Sequence, residues 1–247
     1  MVKFKEGERT EKQLARPLKE YPKVDYGLRS KGKKIGVGKL RGKKIQKKIL
    51  VLGTGRSGTT HMAKVLTAAG LKVKREQMGA DGTASLYFFA DSEWHPWWDG
   101  YAALCHKHER RSDYEFEHIL HVIRDPLKTI PSMAKMFQGL VYDYMEHHSV
   151  LPKGIRNKML RCMYIYKNVN ELCASYADRT FRIEDLRYEW PEVSTRLGIS
   201  PTFPNLPPAN KSSGYKKSEP VTWEDLEQIS PELTAEIKTL AARYGYV

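Results

Sequence analysis

Residues 53–60 combine small, hydroxyl-bearing and cationic side chains in an order suited to binding a phosphate group. They read Gly-Thr-Gly-Arg-Ser-Gly-Thr-Thr, directly after an apolar run at 48–52 and just before a helical periodicity that begins at Thr59. In such an arrangement the N–H groups of a glycine-rich turn and the positive end of the following helix converge on an anion. The segment therefore predicts a phosphate-binding loop between a buried strand and a helix.

The loop departs from the pattern used by nucleotide-triphosphate enzymes at one position. The spacing from Gly53 to Gly58 matches G-x-x-x-x-G-K-[ST], but Thr59 stands where that pattern has lysine. Kinases and GTPases use this lysine on the β- and γ-phosphates. A P-loop kinase or other nucleotide-triphosphate enzyme is therefore the alternative interpretation and is disfavoured.

A second pair of residues suited to phosphate binding is Arg124 and Ser132, eight positions apart after another apolar run. A guanidinium makes a two-pronged contact with phosphate, and a serine in a first helical turn adds a hydroxyl and exposed N–H groups. We expect a helix to begin within 127–132, because Pro131 is tolerated best in a first turn. The purely structural alternative is a strand-to-helix corner capped by Asp125.

Together the two patterns resemble the family of sulfotransferases that use 3′-phosphoadenosine-5′-phosphosulfate (PAPS). The family's phosphate loop typically reads [KR]-S-G-T-T, as residues 56–60 do, and its members bind the 3′-phosphate through an arginine and a serine eight positions on. The resemblance covers residues 47–247 and implies sulfuryl transfer from PAPS, with PAP as product and no metal. It implies these donor-binding residues: Gly55, Arg56, Ser57, Gly58, Thr59, Thr60, Arg124, Ser132 and Lys216.

The resemblance also implies two catalytic residues, Arg56 and Glu76. Arg56 would stabilise the charge that builds on the bridging oxygen as the S–O bond breaks. Glu76, 20 positions further on, would accept the proton of the acceptor hydroxyl. His106 and His108 stay open as alternative bases, and a surface Glu76 paired with Lys74 or Arg75 is the structural alternative.

The acceptor is the least defined part of the prediction. Trp94, Trp97 and Trp98 form an aromatic stretch that suits either stacking on a sugar or phenol, or core and lid packing. The expected acceptor is a hydroxyl of a carbohydrate, lipid or small molecule. Beside the kinase alternative, a non-catalytic module that only binds anions stays open.

The order of apolar runs and helical periodicities predicts the fold. Strands alternate with helices, which favours an α/β P-loop type three-layer sandwich with a central parallel sheet flanked by helices. The predicted strands lie at 48–52, 71–75, 102–106, 118–123 and 179–183. The predicted helices cover 59–69, the segment after Arg124, 155–176 and 231–244.

Charge divides the chain into two parts. Residues 1–48 carry 17 Lys and Arg against five Asp and Glu, whereas the remaining residues carry 25 against 24, within a total net charge of +13. We therefore predict a basic extension over 1–46 and a sulfotransferase-like domain over 47–247. The extension is expected to be either a solvated tail or a contact for an anionic partner or another subunit.

The cysteines and the hydropathy of the sequence indicate the cellular compartment of the protein. Cys105, Cys162 and Cys173 lack metal-ligand spacing and are expected to be free thiols, which is typical of a reducing compartment. No apolar run is long enough to span a membrane, and no secretory h-region is seen at the N-terminus. We therefore predict a cytoplasmic protein with no transmembrane segment.

Overall fold

The computed structural model describes residues 44–91, 110–137, 139–206 and 220–247, all within one compact unit. The strands are β1 (Ile45–Leu52), β2 (Val73–Arg75), β3 (Gly82–Ser85), β4 (Tyr114–Ile123) and β5 (Arg179–Arg182). The helices are α1 (Thr59–Ala68), α2 (Pro126–Met136), α3 (Gly139–His147), α4 (Lys158–Tyr176), α5 (Leu186–Leu197), α6 (Trp223–Ile229) and α7 (Pro231–Arg243).

The five strands form one parallel sheet in the order β2-β3-β1-β4-β5. The predicted α/β three-layer sandwich with a parallel sheet is therefore confirmed. The chain leaves β1 towards the β3 side and later crosses to β4 on the other side, so connections diverge at the carboxyl end of β1. A crevice at such a divergence is where open α/β sheets bind ligands.

Helices cover both faces of the sheet, which explains why the residues at its centre are shielded from solvent. Residues 49–52 of β1 and 120–123 of β4 are completely buried. Neighbouring residues on a strand point to opposite faces. On one face Val51 packs with α1 and α5, whereas on the other the ring of His121 contacts Asn170 of α4.

Two predicted strands are longer than their apolar runs. β1 begins at Ile45 rather than 48, inside the predicted extension, and β4 begins at Tyr114 rather than 118. The amino-terminal halves of both strands are partly exposed and carry charged residues such as Lys48 and Glu117. A search for buried runs therefore recognises only their carboxyl-terminal halves.

The start of α2 corrects the prediction made from Pro131. The helix begins at Pro126, and the Asp125 carboxylate accepts a hydrogen bond of 2.9 Å from the Leu127 N–H as its cap. The expectation that Ser132 lies in the first turn is therefore wrong. Pro126 already occupies the first helical position, and α2 tolerates Pro131 in its interior although that residue has no N–H to donate.

The predicted helices α1, α4 and α7 and the strand β5 are observed with shifts of no more than three residues. The elements β3, α3, α5 and α6 were not predicted. The strand predicted at 102–106 lies outside the described residues.

Two observations concern the features from which a cytoplasmic location was predicted, the cysteines and the hydropathy. Cys162 and Cys173 are free and buried, and burial raises the pKa of the Cys162 thiol to about 12. Cys105 lies outside the described residues. Among the helices that the structure describes, none is long and apolar enough to cross a membrane.

Candidate functional site

The loop after β1 closes on itself through Ser57. Its N–H and its hydroxyl both donate to the Thr54 carbonyl, at 3.1 and 2.7 Å. The Ser57 side chain is fully buried, so in this conformation it stabilises the turn. Its predicted contact with a donor stays a prediction.

Two glycines allow the loop backbone to pack closely against neighbouring side chains. At Gly58 the φ angle is 109°, and a Cβ would lie 2.5 Å from Cγ1 of Ile183. At Gly55 a Cβ would lie 2.3 Å from Cζ of Phe137. Gly58 is also the N-cap of α1 and offers no side-chain cap, which leaves the first N–H groups of the helix to bind an anion.

Arg56 connects the loop to the second predicted phosphate group. Its φ angle is 71°, a left-handed conformation that is unusual for a residue with a side chain. Arg56 Nε donates to Ser132 Oγ at 2.9 Å, and the Arg56 carbonyl accepts from Arg124 Nη1 at 3.2 Å. Arg124 and Ser132 follow Arg56 by 68 and 76 positions along the chain, and the structure brings both of them to the loop.

Arg124 is anchored by its backbone and flanked by one carboxylate. The Tyr166 hydroxyl donates to the Arg124 carbonyl at 2.7 Å, and Arg124 Nε lies 4.0 Å from Glu184 Oε1. Glu184 Oε2 in turn accepts from the Tyr246 hydroxyl at 2.8 Å. Burial, with the Glu184 hydrogen bond, raises the pKa of Tyr246 well above its usual value, so the hydroxyl remains a donor.

Arg56, Arg124 and Glu184 line a cleft of about 480 Å³ at the carboxyl ends of the strands. Its described lining includes four cationic side chains, Arg56, Arg75, Arg124 and Lys128, against one carboxylate, Glu184. The remaining described lining residues are Gly55, Gly58, Thr59, Thr60, His61, Leu86, Met136, Phe137 and Ile183. An excess of positive charge beside an uncapped helix N-terminus suits a ligand with several negative charges.

Glu76 occupies an unexpected position for a predicted base. It is only 4% exposed, so the alternative of a surface glutamate paired with Lys74 or Arg75 is wrong. Its carboxylate accepts from Ser85 Oγ at 2.7 Å and from the Leu86 N–H at 3.1 Å. The cleft is lined by Arg75 and Leu86 rather than by Glu76. Its role as base stays a prediction.

His61 lines the cleft and was not singled out in the sequence. It is the third residue of α1, and its Nδ1 is buried with no hydrogen-bond partner among the described residues. Burial, together with the nearby Lys64, lowers the pKa of His61, so the ring is neutral near pH 7. Its position immediately after Thr60 was the available signal, since the first turn of the helix lines the cleft.

Several predicted residues lie outside the described residues: His106, His108, Lys216, Trp94, Trp97 and Trp98. Within the described ranges, no group of three His, Cys, Asp or Glu side chains is arranged to hold a metal ion.

No protein-family model, curated protein sequence or solved structure matches the chain. The sulfotransferase resemblance therefore rests on residues 56–60, on Arg124 and Ser132, and on the hydrogen bonds that bring Arg124 and Ser132 to Arg56 beside the cleft.

Proposed function

We propose that the protein is a sulfotransferase that moves a sulfuryl group from PAPS to a hydroxyl of a carbohydrate, lipid or small molecule. The observation that carries the proposal is the hydrogen bond between Arg56 and Ser132, with Arg124 bonded to the Arg56 carbonyl. Two groups of phosphate-binding type, far apart in the chain, thereby share one cleft. A donor with phosphates at both its 5′ and its 3′ positions suits such a pair.

The described residues supply the positive charges and hydrogen-bond donors that this donor requires. The N–H groups at the start of α1 would hold the 5′-phosphosulfate end, and Gly55 and Gly58 let the loop pack against Phe137 and Ile183 in the conformation that presents these groups. Arg124 would bind the 3′-phosphate, because its side chain is 36% exposed and already faces the loop. The absence of lysine at Thr59 supports a donor without a β–γ phosphate bridge.

Arg56 is proposed to stabilise charge on the departing phosphate. PAPS supplies the activated sulfuryl group, and negative charge grows on the phosphate oxygen as the S–O bond breaks. The bond from Arg56 Nε to Ser132 Oγ fixes the guanidinium across the loop instead of leaving it in solvent. A preorganised cation of this kind stabilises the transition state more than one that must reorient.

Glu76 is proposed as the base that takes the acceptor proton. Hydrogen bonds from Ser85 Oγ and the Leu86 N–H stabilise its negative charge. Ser85 Oγ is itself held by the Tyr87 N–H at 3.0 Å, which directs its hydroxyl hydrogen towards Glu76. Because Glu76 does not line the cleft, catalysis requires its side chain to leave these donors and turn into the cleft towards the acceptor hydroxyl.

The donor class is tested by calorimetry with PAP and ATP, each with and without magnesium. The proposal predicts magnesium-independent binding of PAP, weakened about 10- to 100-fold by Arg124→Ala because a charge-assisted contact is lost. Arg196→Ala is the matched control, since Arg196 has the same 36% exposure and pairs with Glu192 on α5, away from the cleft. A preference for ATP with magnesium would overturn the proposal and favour a kinase.

Turnover separates an enzyme from a module that only binds anions. Glu76→Gln removes the charge and proton acceptor but retains the size of the side chain. The proposal predicts a loss of sulfuryl transfer of about 100-fold or more with PAP binding retained. PAP binding without transfer by the wild type to any hydroxyl acceptor would favour the binding module.

A further inference from the structure

The cleft contains a cation that the proposed donor does not use. Arg75 is the last residue of β2, the edge strand of the sheet, and its side chain lines the cleft. Its Nε is buried and has no hydrogen-bond partner among the described residues. Burying an N–H of a charged group without a partner is unfavourable, and a bound anion would relieve this.

The other cleft cations contact polar groups of the protein. Arg56 is bonded to Ser132, and the Lys128 ammonium lies 3.1 Å from the Asp125 carboxylate. Glu76 follows Arg75 directly in the chain, but its carboxylate is turned to Ser85 Oγ. No carboxylate among the described residues forms an ion pair with Arg75.

Arg75 also lies on the opposite side of the loop from the proposed 3′-phosphate site. Three strand spacings separate β2 from β4, so their ends are about 14 Å apart. Arg124 follows β4 and approaches the loop from that side, whereas Arg75 approaches from the β2 side. A phosphate bound at Arg124 therefore leaves Arg75 for a different anionic group.

We infer that Arg75 binds an anionic group of the acceptor, an inference that rests on the proposed sulfotransferase function. Leu86 and Phe137, both largely buried, give the same cleft an apolar wall. The acceptor class is thus a hydroxyl compound that joins an apolar or aromatic body to a carboxylate, sulfate or phosphate. In the transfer, the acceptor oxygen bonds to sulfur, its proton passes to Glu76, and the broken S–O bond leaves its electron pair on PAP.

The inference is tested with acceptors matched in shape and different in charge. Transfer from radiolabelled PAPS is measured with 4-hydroxybenzoate and its methyl ester, and with a glucuronic acid and its methyl ester. The wild type should prefer the charged member of at least one pair by about 10- to 100-fold in kcat/KM, and Arg75→Gln should abolish this preference. Lys74→Gln is the control, since Lys74 is an exposed neighbour on the same strand and should retain the preference.

The inference would be overturned by equal transfer to the charged and the neutral acceptor of each pair, by transfer to neutral acceptors alone, or by transfer to no charged acceptor. An equal loss on charged and neutral acceptors in Arg75→Gln would also overturn it. Arg75→Gln should bind PAP within about twofold of the wild type, which would show that its donor site is intact. If that variant does not fold, Arg75→Lys takes its place. Because lysine keeps the charge, Arg75→Lys must retain the preference for the charged acceptor. Failure of the wild type to bind PAP would instead overturn the proposed function.

Discussion

Replacing Gly55 by alanine should damage donor binding through a single steric conflict. The added Cβ would lie 2.3 Å from Cζ and 2.7 Å from Cε1 of Phe137, whereas ordinary contacts lie at 3.4–4 Å. The loop or the ring must therefore move by about 1 Å. Phe137 is only 2% exposed and packs edge-on against Tyr142, so the ring has little room and the loop takes up much of the movement.

The magnitude follows from this displacement. Overpacking of a well-packed site typically costs about 1–3 kcal/mol of unfolding free energy. A shift of about 1 Å in the N–H groups that face the donor is large beside hydrogen-bond tolerances and can cost about 100-fold. For Gly55→Ala we expect a stability loss in that range and PAP binding weakened about 10- to 100-fold.

The assay combines urea unfolding with PAP calorimetry on five proteins: the wild type, Gly55→Ala, Gly139→Ala, Phe137→Leu and the double variant of Gly55 and Phe137. Gly139→Ala is the matched control, since no described atom lies within 4 Å of its added Cβ; it should leave PAP affinity unchanged and raise the unfolding free energy by about 0.4–1 kcal/mol, as alanine does at an unstrained helical glycine. The double variant Gly55→Ala, Phe137→Leu removes the ring atoms in conflict and should lose less than the sum of its single variants. Unchanged PAP affinity in Gly55→Ala, or strict additivity in the double variant, would refute the steric reasoning.

Two further predictions concern the stability of the folded protein. Tyr246→Phe removes the hydrogen bond to Glu184 and should lower the unfolding free energy by about 1–2 kcal/mol; a thermal melt identical to the wild type would contradict this. Burial lowers the pKa of His121 to about 4, partly offset by Asn170, so the folded protein holds this ring neutral. The unfolded chain binds the extra proton below pH 6.5, so stability should fall between pH 6.5 and 4 by about 3 kcal/mol in total. Urea titrations should show a flatter profile for His121→Gln, and equal slopes would contradict the assignment.

Much of the fold could be predicted from sequence because its central elements are apolar and periodic. β1 and α1 carry runs of buried aliphatic residues on either side of the loop. The strand β3 escaped prediction, because Gly82–Ser85 contains only small side chains although all four residues are buried. At Gly82 a Cβ would lie 1.8 Å from the Ile49 carbonyl, so the close approach of β1 excludes the bulky residues by which a strand is recognised.

The site was predictable in its residue types but not in its contacts. The motifs placed Arg56, Arg124 and Ser132 in one site, yet nothing in their spacing indicated that Arg56 bonds to Ser132. Alternation along an extended strand would place Arg75 and Glu76 on opposite faces, but only the structure shows that Arg75 is the one lining the cleft. The left-handed φ of 52° at Glu76 turns the chain there and buries its carboxylate. This bend could not be predicted from the residue types.

The proposed recognition of a 3′-phosphorylated nucleotide in the cleft depends on Arg124. It is tested most directly by four dissociation constants, for PAP and for adenosine 5′-phosphate, on the wild type and on Arg124→Ala. We predict that the wild type prefers PAP and that the variant does not, with a coupling of about 1.5–3 kcal/mol between the 3′-phosphate and Arg124. The same preference for PAP in both proteins, and hence a coupling near zero, would contradict the account.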